Sequence, residues 1–103
     1  MSVIEINNSN FESEVLRSEK PVLADFNASW CGPCRMLKPM LDQLAGERND
    51  VKFVSINIDD EYDLAEQYGV SSIPCLVLFK GGQEAGRSVG LIPKAAIENF
   101  LES

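Results

Sequence analysis

Val22-Leu23-Ala24-Asp25-Phe26, then Trp30-Cys31-Gly32-Pro33-Cys34, then Met36 to Leu44 read in that order as an apolar strand, a loop with two thiols, and a helix. Leu37, Leu41 and Leu44 recur at helical spacing with Met36 and Met40 beside them, which lays an apolar stripe along one helix face. Pro33 suits the first helical turn, where its missing N–H leaves no bond unmade. Pro39, inside the helix, should kink it. Two cysteines at this spacing have three meanings open to them: a redox dithiol, half of a metal site, or two core side chains.

The rest of the chain narrows these. Its 103 residues are expected to form one domain, 1–103, long enough to build a core without disulfide staples, and 45% apolar content is ordinary for a globular protein. Nine basic against sixteen acidic side chains give a net charge of −7, with no local basic cluster, so neither nucleic acid nor an anionic membrane is an expected partner. No apolar run approaches the roughly 20 residues of a membrane span. Glu5 and the polar run Asn7 to Asn10 interrupt any signal sequence. A cytoplasmic location is expected, where a disulfide is more often catalytic than structural. The absence of histidine removes Ser-His and Cys-His catalysis and every histidine-containing metal site. Cys31, Cys34 and Cys75 are the only cysteines, too few for a four-cysteine zinc or iron–sulfur site within one chain.

Strand-like and helix-like segments alternate, which points to an α/β layered domain. Val3 to Ile6 reads as an opening strand. Ser9 and Glu12 fit a capping box for a helix from about Asn10 to Arg17. Pro21 opens the strand Val22 to Ala28, in which Val22, Ala24 and Phe26 share one face and Leu23, Asp25 and Asn27 the other. Val51 to Ile58 is a third strand, and Asp60 to Tyr68 a helix closed by Gly69. Cys75 to Phe79 is a continuous apolar run, expected as a central strand buried on both faces. Gly81-Gly82 should turn the chain into a hairpin with Gln83 to Val89. Pro93 opens a last helix ending near Leu101, with Ala96, Ile97, Phe100 and Leu101 facing inward.

The spacing of the two thiols has a chemical consequence. Positions i and i+3 of a first helical turn lie on one side, close enough for a disulfide after modest adjustment. The first cysteine stands at the helix N-terminus, where unpaired N–H groups and the helix dipole favour the thiolate, the attacking species. Cys31 is therefore expected as the nucleophile. Cys34, one turn inside and more shielded, is expected as the resolving thiol that displaces the substrate and closes the internal disulfide. With no second Cys-x-x-Cys and no histidine, the strand–loop–helix setting favours the redox reading over zinc.

Asp25 to Pro39, with Trp30-Cys31-Gly32-Pro33-Cys34 at its centre, resembles the active-site segment of the thioredoxin family. The resemblance extends along the chain through Asn57-Ile58-Asp59, Ile73-Pro74 before the long apolar strand, Phe79-Lys80-Gly81-Gly82 and Val89-Gly90. It implies a thioredoxin fold: a central mixed β-sheet of about five strands flanked by four helices, with the dithiol at the tip of the second strand. It implies a cis bond before Pro74, which sits against the disulfide and leaves the Ile73 backbone open to pair with an extended substrate segment. Trp30, Gly32, Pro33, Ile73, Pro74 and Gly90 would line that docking surface, although Gly90 reads equally as a turn glycine. With Gly-Pro between the cysteines rather than histidine, and only Arg35, Lys38 and the helix dipole offering positive charge, the pair is expected to act as a reductant.

Aspartate is depleted in strands, and Asp25 lies within an apolar run. Burial should raise its pKa, and a buried carboxyl near the dithiol could exchange a proton with Cys34, directly or through water. An edge or solvent-facing aspartate is the competing reading; the resembled family has its buried acid at this position. Three residues depart from that family. Asn27 stands where an aromatic is common. Ser55 stands where many members carry a lysine facing the acid, so the Asp25 pKa should rise further unless Asn27 or Ser55 hydrogen-bonds it. Cys75 stands where threonine is more usual, and reads either as a small buried hydrophobe or as an extra thiol near the dithiol.

The resemblance thus implies a protein-disulfide reductase, a monomeric dithiol electron carrier with no bound cofactor beyond a reversible Cys31–Cys34 disulfide. It would act on disulfide-containing proteins and be recharged by a thioredoxin reductase that draws on NADPH or ferredoxin. Two alternatives stand beside it. One is a specialised redox protein with few partners, or a binding module on the same fold. The other is a metal scaffold built from Cys31, Cys34 and Cys75 with a ligand from elsewhere.

Overall fold

The computed structural model describes residues 2–103. Five strands form one mixed sheet in the order β1-β3-β2-β4-β5: Ile4–Glu5 (β1), Val22–Asn27 (β2), Lys52–Asn57 (β3), Cys75–Lys80 (β4) and Gln83–Val89 (β5). β1 and β2 run parallel to β3, whereas β4 pairs antiparallel with both β2 and β5. The helices are a short π-helical turn, Glu12–Leu16, and α1 (Gly32–Glu47), α2 (Tyr62–Gln67) and α3 (Lys94–Leu101). This is the thioredoxin fold that the sequence implied.

β2 and β4 are central because their side chains allow it: every residue from Val22 to Phe26 and from Cys75 to Phe79 is buried. The alternation in β2 sorts its side chains as expected. Val22, Ala24 and Phe26 join Cys75, Val77 and Phe79 in an apolar layer under Phe11, Val15 and Leu64. Leu23 joins Leu76 and Leu78 on the other face, under Leu37, Leu41 and Leu44 of α1 and Ile97 and Leu101 of α3. Removing one such leucine side chain costs about 2–5 kcal/mol, so either layer has enough packing to fix the sheet register beneath the dithiol.

Several boundaries differ from the sequence reading. The first helix is shorter than Asn10–Arg17, and Ser9 does not cap it. Its hydroxyl is itself a donor to Asn7 Oδ1 (2.6 Å), and Asn7 Oδ1 accepts from the backbone N–H groups of Ser9 and Asn10. The turn then closes with an i−5 bond from Arg17 N–H to Glu12 O (2.9 Å), and the Glu12 carboxylate accepts from Arg17 Nη2 instead of serving the capping box. α2 starts at Tyr62 rather than Asp60, because Asn57 Oδ1 accepts from the N–H groups of Asp59 and Asp60 and holds them in a separate turn. It ends as expected at Gly69, with Gly69 N–H on Glu66 O and Val70 N–H on Ala65 O, the paired bonds of a Schellman motif.

The β4–β5 hairpin needs its glycines. Gly81 and Gly82 take φ of 60° and 79°, the signature of a two-residue I′ turn. A Cβ on Gly82 would lie 2.7 Å from the Leu16 carbonyl oxygen. α1 continues unbroken through Pro39, leaving the Arg35 carbonyl without its usual i+4 donor.

Candidate active site

β2 delivers the chain to Cys31, which caps the N-terminus of α1 in an extended conformation (φ −89°, ψ 112°), with Pro33 in the first turn. Cys31 and Cys34 form a disulfide across that turn, with Cα atoms 5.3 Å apart. Cys31 Sγ accepts the Cys34 backbone N–H at 3.2 Å, the contact an N-cap side chain makes. Burial does not separate the two sulfurs as expected: Cys31 is 5% exposed and Cys34 4%. Position does separate them. Cys31 receives the helix N–H, whereas Cys34 borders a cavity on the inner side.

Around the pair, the structure gathers most of the residues named from sequence. Ile73 packs against the small cluster of Ala28, Cys31 and Cys34, and its carbonyl oxygen lies 4.0 Å from Cys31 Sγ. The Ile73–Pro74 peptide bond is cis. Gly90 donates its N–H to the Pro74 carbonyl (2.8 Å) and takes φ of 100°, a conformation that selects glycine. Trp30 is 65% exposed, and its indole N–H donates to Asp59 Oδ2 at 2.8 Å. No role for Asp59 was read from the sequence. The usable signal lay in Asn57-Ile58-Asp59, an Asx turn in which Asp59 N–H donates to Asn57 Oδ1 at 2.8 Å.

Asp25 is buried, 6% exposed. It lines a cavity of about 140 Å³ together with Cys34, Asn27, Ser55, Arg35 and Lys38. Its Oδ1 has no hydrogen-bond partner, and Asn27 Nδ2 approaches its Oδ2 at 3.4 Å. Burial pushes its pKa up to about 7, opposed by the Asn27 amide, raised further by Glu5 and lowered by Lys38. Ser55 makes no side-chain hydrogen bond to Asp25; its Oγ accepts a 2.8 Å bond from Asn27 Nδ2. The cavity stands beside Asn27.

Cys75 is 1% exposed, a free thiol on the same sheet face as Phe26, and not part of the Cys31–Cys34 cluster. Burial pushes its thiol pKa up. That is the geometry of a small core hydrophobe rather than of a thiol poised at the dithiol. Among the described residues, no three His, Cys, Asp or Glu side chains are grouped to hold a metal ion.

A Cys-x-x-Cys disulfide on a helix N-terminus, set at the tip of a buried strand beside a cis-proline loop, defines a dithiol–disulfide oxidoreductase. The thioredoxin family model matches residues 2–103. The chain is 48% identical over 100 residues to the thioredoxin of Haemophilus influenzae, covering 96% of this chain and 94% of that one. It is 46% identical over 99 residues to thioredoxin 1 of Nostoc sp. (95% and 92% covered). It is 44% identical over 98 residues to the chloroplastic M-type thioredoxin of Chlamydomonas reinhardtii (94% and 70% covered). The chain belongs to the thioredoxin family, and its function is protein-disulfide oxidoreduction by thiol–disulfide exchange through Cys31 and Cys34.

Proposed function

We propose that the reduced chain works as a general protein-disulfide reductase with distinct roles for its two thiols. The Cys31 thiolate attacks one sulfur of a substrate disulfide, forming a mixed disulfide and releasing one substrate thiolate. Cys34 gives its proton to the Asp25 carboxylate, directly or through water in the shared cavity, and attacks Cys31 Sγ. The second substrate thiolate leaves, and the Cys31–Cys34 disulfide closes. Two electrons have passed to the substrate. A pKa of about 7 suits Asp25 to take and return a proton near neutral pH. Trp30, Gly32, Pro33, Ile73, Pro74 and Gly90 form the surface on which an extended substrate segment docks, with the Ile73 backbone available for pairing.

The observation that carries this reading is the disulfide in the first turn of α1, with Cys34 and the buried Asp25 on one cavity. The partners are disulfide-containing proteins and a thioredoxin reductase drawing on NADPH or ferredoxin. The chain acts as a single domain and a monomer in the cytoplasm, with the reversible disulfide as its only redox group. No described helix is long and apolar enough to cross a membrane. The test is reduction of a model protein disulfide by catalytic amounts of the chain, with reductases of each type supplied in turn. Activity should require one reductase and disappear in Cys31→Ser; turnover that survives Cys31→Ser would overturn the assignment.

A further inference from the structure

One nitrogen ties together three groups beside the dithiol. Asp25 and Asn27 stand two residues apart on one face of β2, and Ser55 of β3 lies directly across from Asp25. Asn27 Nδ2 donates to the Asp25 carbonyl oxygen and to Ser55 Oγ, both at 2.8 Å, while lying 3.4 Å from Asp25 Oδ2. The two short bonds engage both amide hydrogens, so turning the carboxamide away would break both. The positive end of the amide is thereby held against a carboxyl whose other oxygen, Oδ1, is buried and unpartnered. An N–H beside a desolvated carboxyl favours its ionised form, whereas desolvation favours the neutral one.

The charged surroundings offer no dedicated substitute. Glu5 of β1, across Ser55 from Asp25, opposes ionisation of the acid. From α1, Arg35, Lys38 and Asp42 line the cavity; Lys38 favours ionisation but is exposed and faces Asp42 at 3.5 Å. β4 contributes only Leu76 opposite Asp25. Among the described residues, the Asn27 amide is the one side-chain donor within hydrogen-bond distance of the carboxyl.

We propose that Asn27, held by Ser55, is a positioning residue that sets the acidity of Asp25 and so tunes proton exchange at the dithiol. This rests on Asp25 serving as the dithiol's proton partner. In effect, a neutral amide clamped by a hydroxyl faces the acid at this corner, across strands whose register fixes all three positions.

The experiment follows the Asp25 side-chain carboxyl carbon by NMR through a pH titration of the oxidised protein, in which Cys31 and Cys34 cannot titrate. Asn27→Ala is expected to move the titration upward by about half a pH unit or more. Ser55→Val should move it in the same direction by less, and Ser55→Thr, with the same shape but the hydroxyl kept, should leave it in place. Titrations of Asn27→Ala and Ser55→Val within about 0.2 unit of the parent overturn the inference. A Ser55→Thr shift equal to that of Ser55→Val assigns the effect to packing and overturns the clamp. Should Asn27→Ala fail to fold, the valine–threonine pair decides alone. The pH profile of disulfide reduction by Asp25→Asn separates the two readings. A profile changed by Asp25→Asn, with an unmoved Asn27→Ala titration, leaves Asp25's role standing and sinks the clamp. An unchanged profile with a moved titration does the reverse.

Discussion

Cys34 and Cys75 share almost nothing except burial. At 4% and 1% exposure, both residues are buried. Cys34 sits one turn into α1 and borders a cavity whose walls include the Asp25 carboxyl, the Asn27 amide, the Ser55 hydroxyl and the cations Arg35 and Lys38. Cys75 opens β4 on the other face of the sheet, in a layer of Phe26, Val77 and Phe79. Burial in an apolar layer pushes the Cys75 thiol up and keeps it protonated. At the dithiol, Cys31 Sγ accepts a helix N–H, and Cys34 has a carboxyl on the same cavity. A buried sulfur becomes chemically useful through its neighbours: a donor for the thiolate, an acceptor for the proton, and a second sulfur within reach.

The strongest way to break this contrast is to remove each sulfur in turn. Cys31→Ser should lower turnover of a protein disulfide by more than about 10³-fold, the scale of losing a covalent nucleophile. Cys34→Ser should retain the first attack and accumulate the mixed disulfide, visible as a mass increase that a small dithiol reverses. Cys75→Ala should keep the parental rate within about twofold. A Cys75→Ala loss approaching that of Cys31→Ser would erase the distinction between the two environments.

The next largest effect concerns Asp25 and stability. Its pKa rises from an ordinary 3.8 to about 7 on folding, so the native state holds a proton that the unfolded chain releases between those values. The neutral acid's contribution is therefore fully present below about pH 4 and is lost as pH rises through about 7, a change of about 4 kcal/mol. Asp25→Asn cannot ionise. In urea titrations, its stability relative to the parent should increase by several kcal/mol between acid pH and pH 8. A pH-independent difference would show that Asp25 ionises in the native state as readily as in the unfolded one.

On the sealed side, Cys75→Ala should cost about 1 kcal/mol, from lost packing of a single sulfur atom. A small alkylating reagent should leave Cys75 unmodified in the native oxidised protein and modify it fully in denaturant. Rapid native modification would put Cys75 in the reactive class and end the contrast from the other direction.

The sequence made the local half of this picture legible. The alternation of Val22, Ala24 and Phe26 against Leu23, Asp25 and Asn27, and the spacing of Cys31 and Cys34 before an apolar helix, are contained within one segment each. What stayed hidden depends on contacts between segments or on competition between neighbouring donors. Asn27 and Ser55 stand out as departures, but their bond spans 28 positions and exists only because β2 and β3 pair with Asp25 opposite Ser55. The Trp30–Asp59 bond likewise joins two loops. Ser9 looked like a helix cap because its hydroxyl could accept an N–H; Asn7, two residues earlier, took that part and made the Ser9 hydroxyl a donor. A motif names the groups able to bond, and the backbone decides which does.

The smallest expected effects sharpen the contrast by asking how the Asp25 corner reads charge at a distance. Lys38 lowers the Asp25 pKa and Glu5 raises it, and both side chains are exposed. Lys38→Gln should move the Asp25 titration up, and Glu5→Gln should move it down, each by a few tenths of a pH unit. Because these charges reach Asp25 partly through solvent, raising the ionic strength to about 1 M, where screening acts over about 3 Å, should erase both shifts. The Asn27→Ala shift should persist in the same salt, since the amide meets the carboxyl inside the fold with no ions between them. Equal salt sensitivity for all three variants would mean that the corner is open to bulk electrolyte, and that the difference between the Cys34 and Cys75 environments is one of solvent access rather than of placed polar groups.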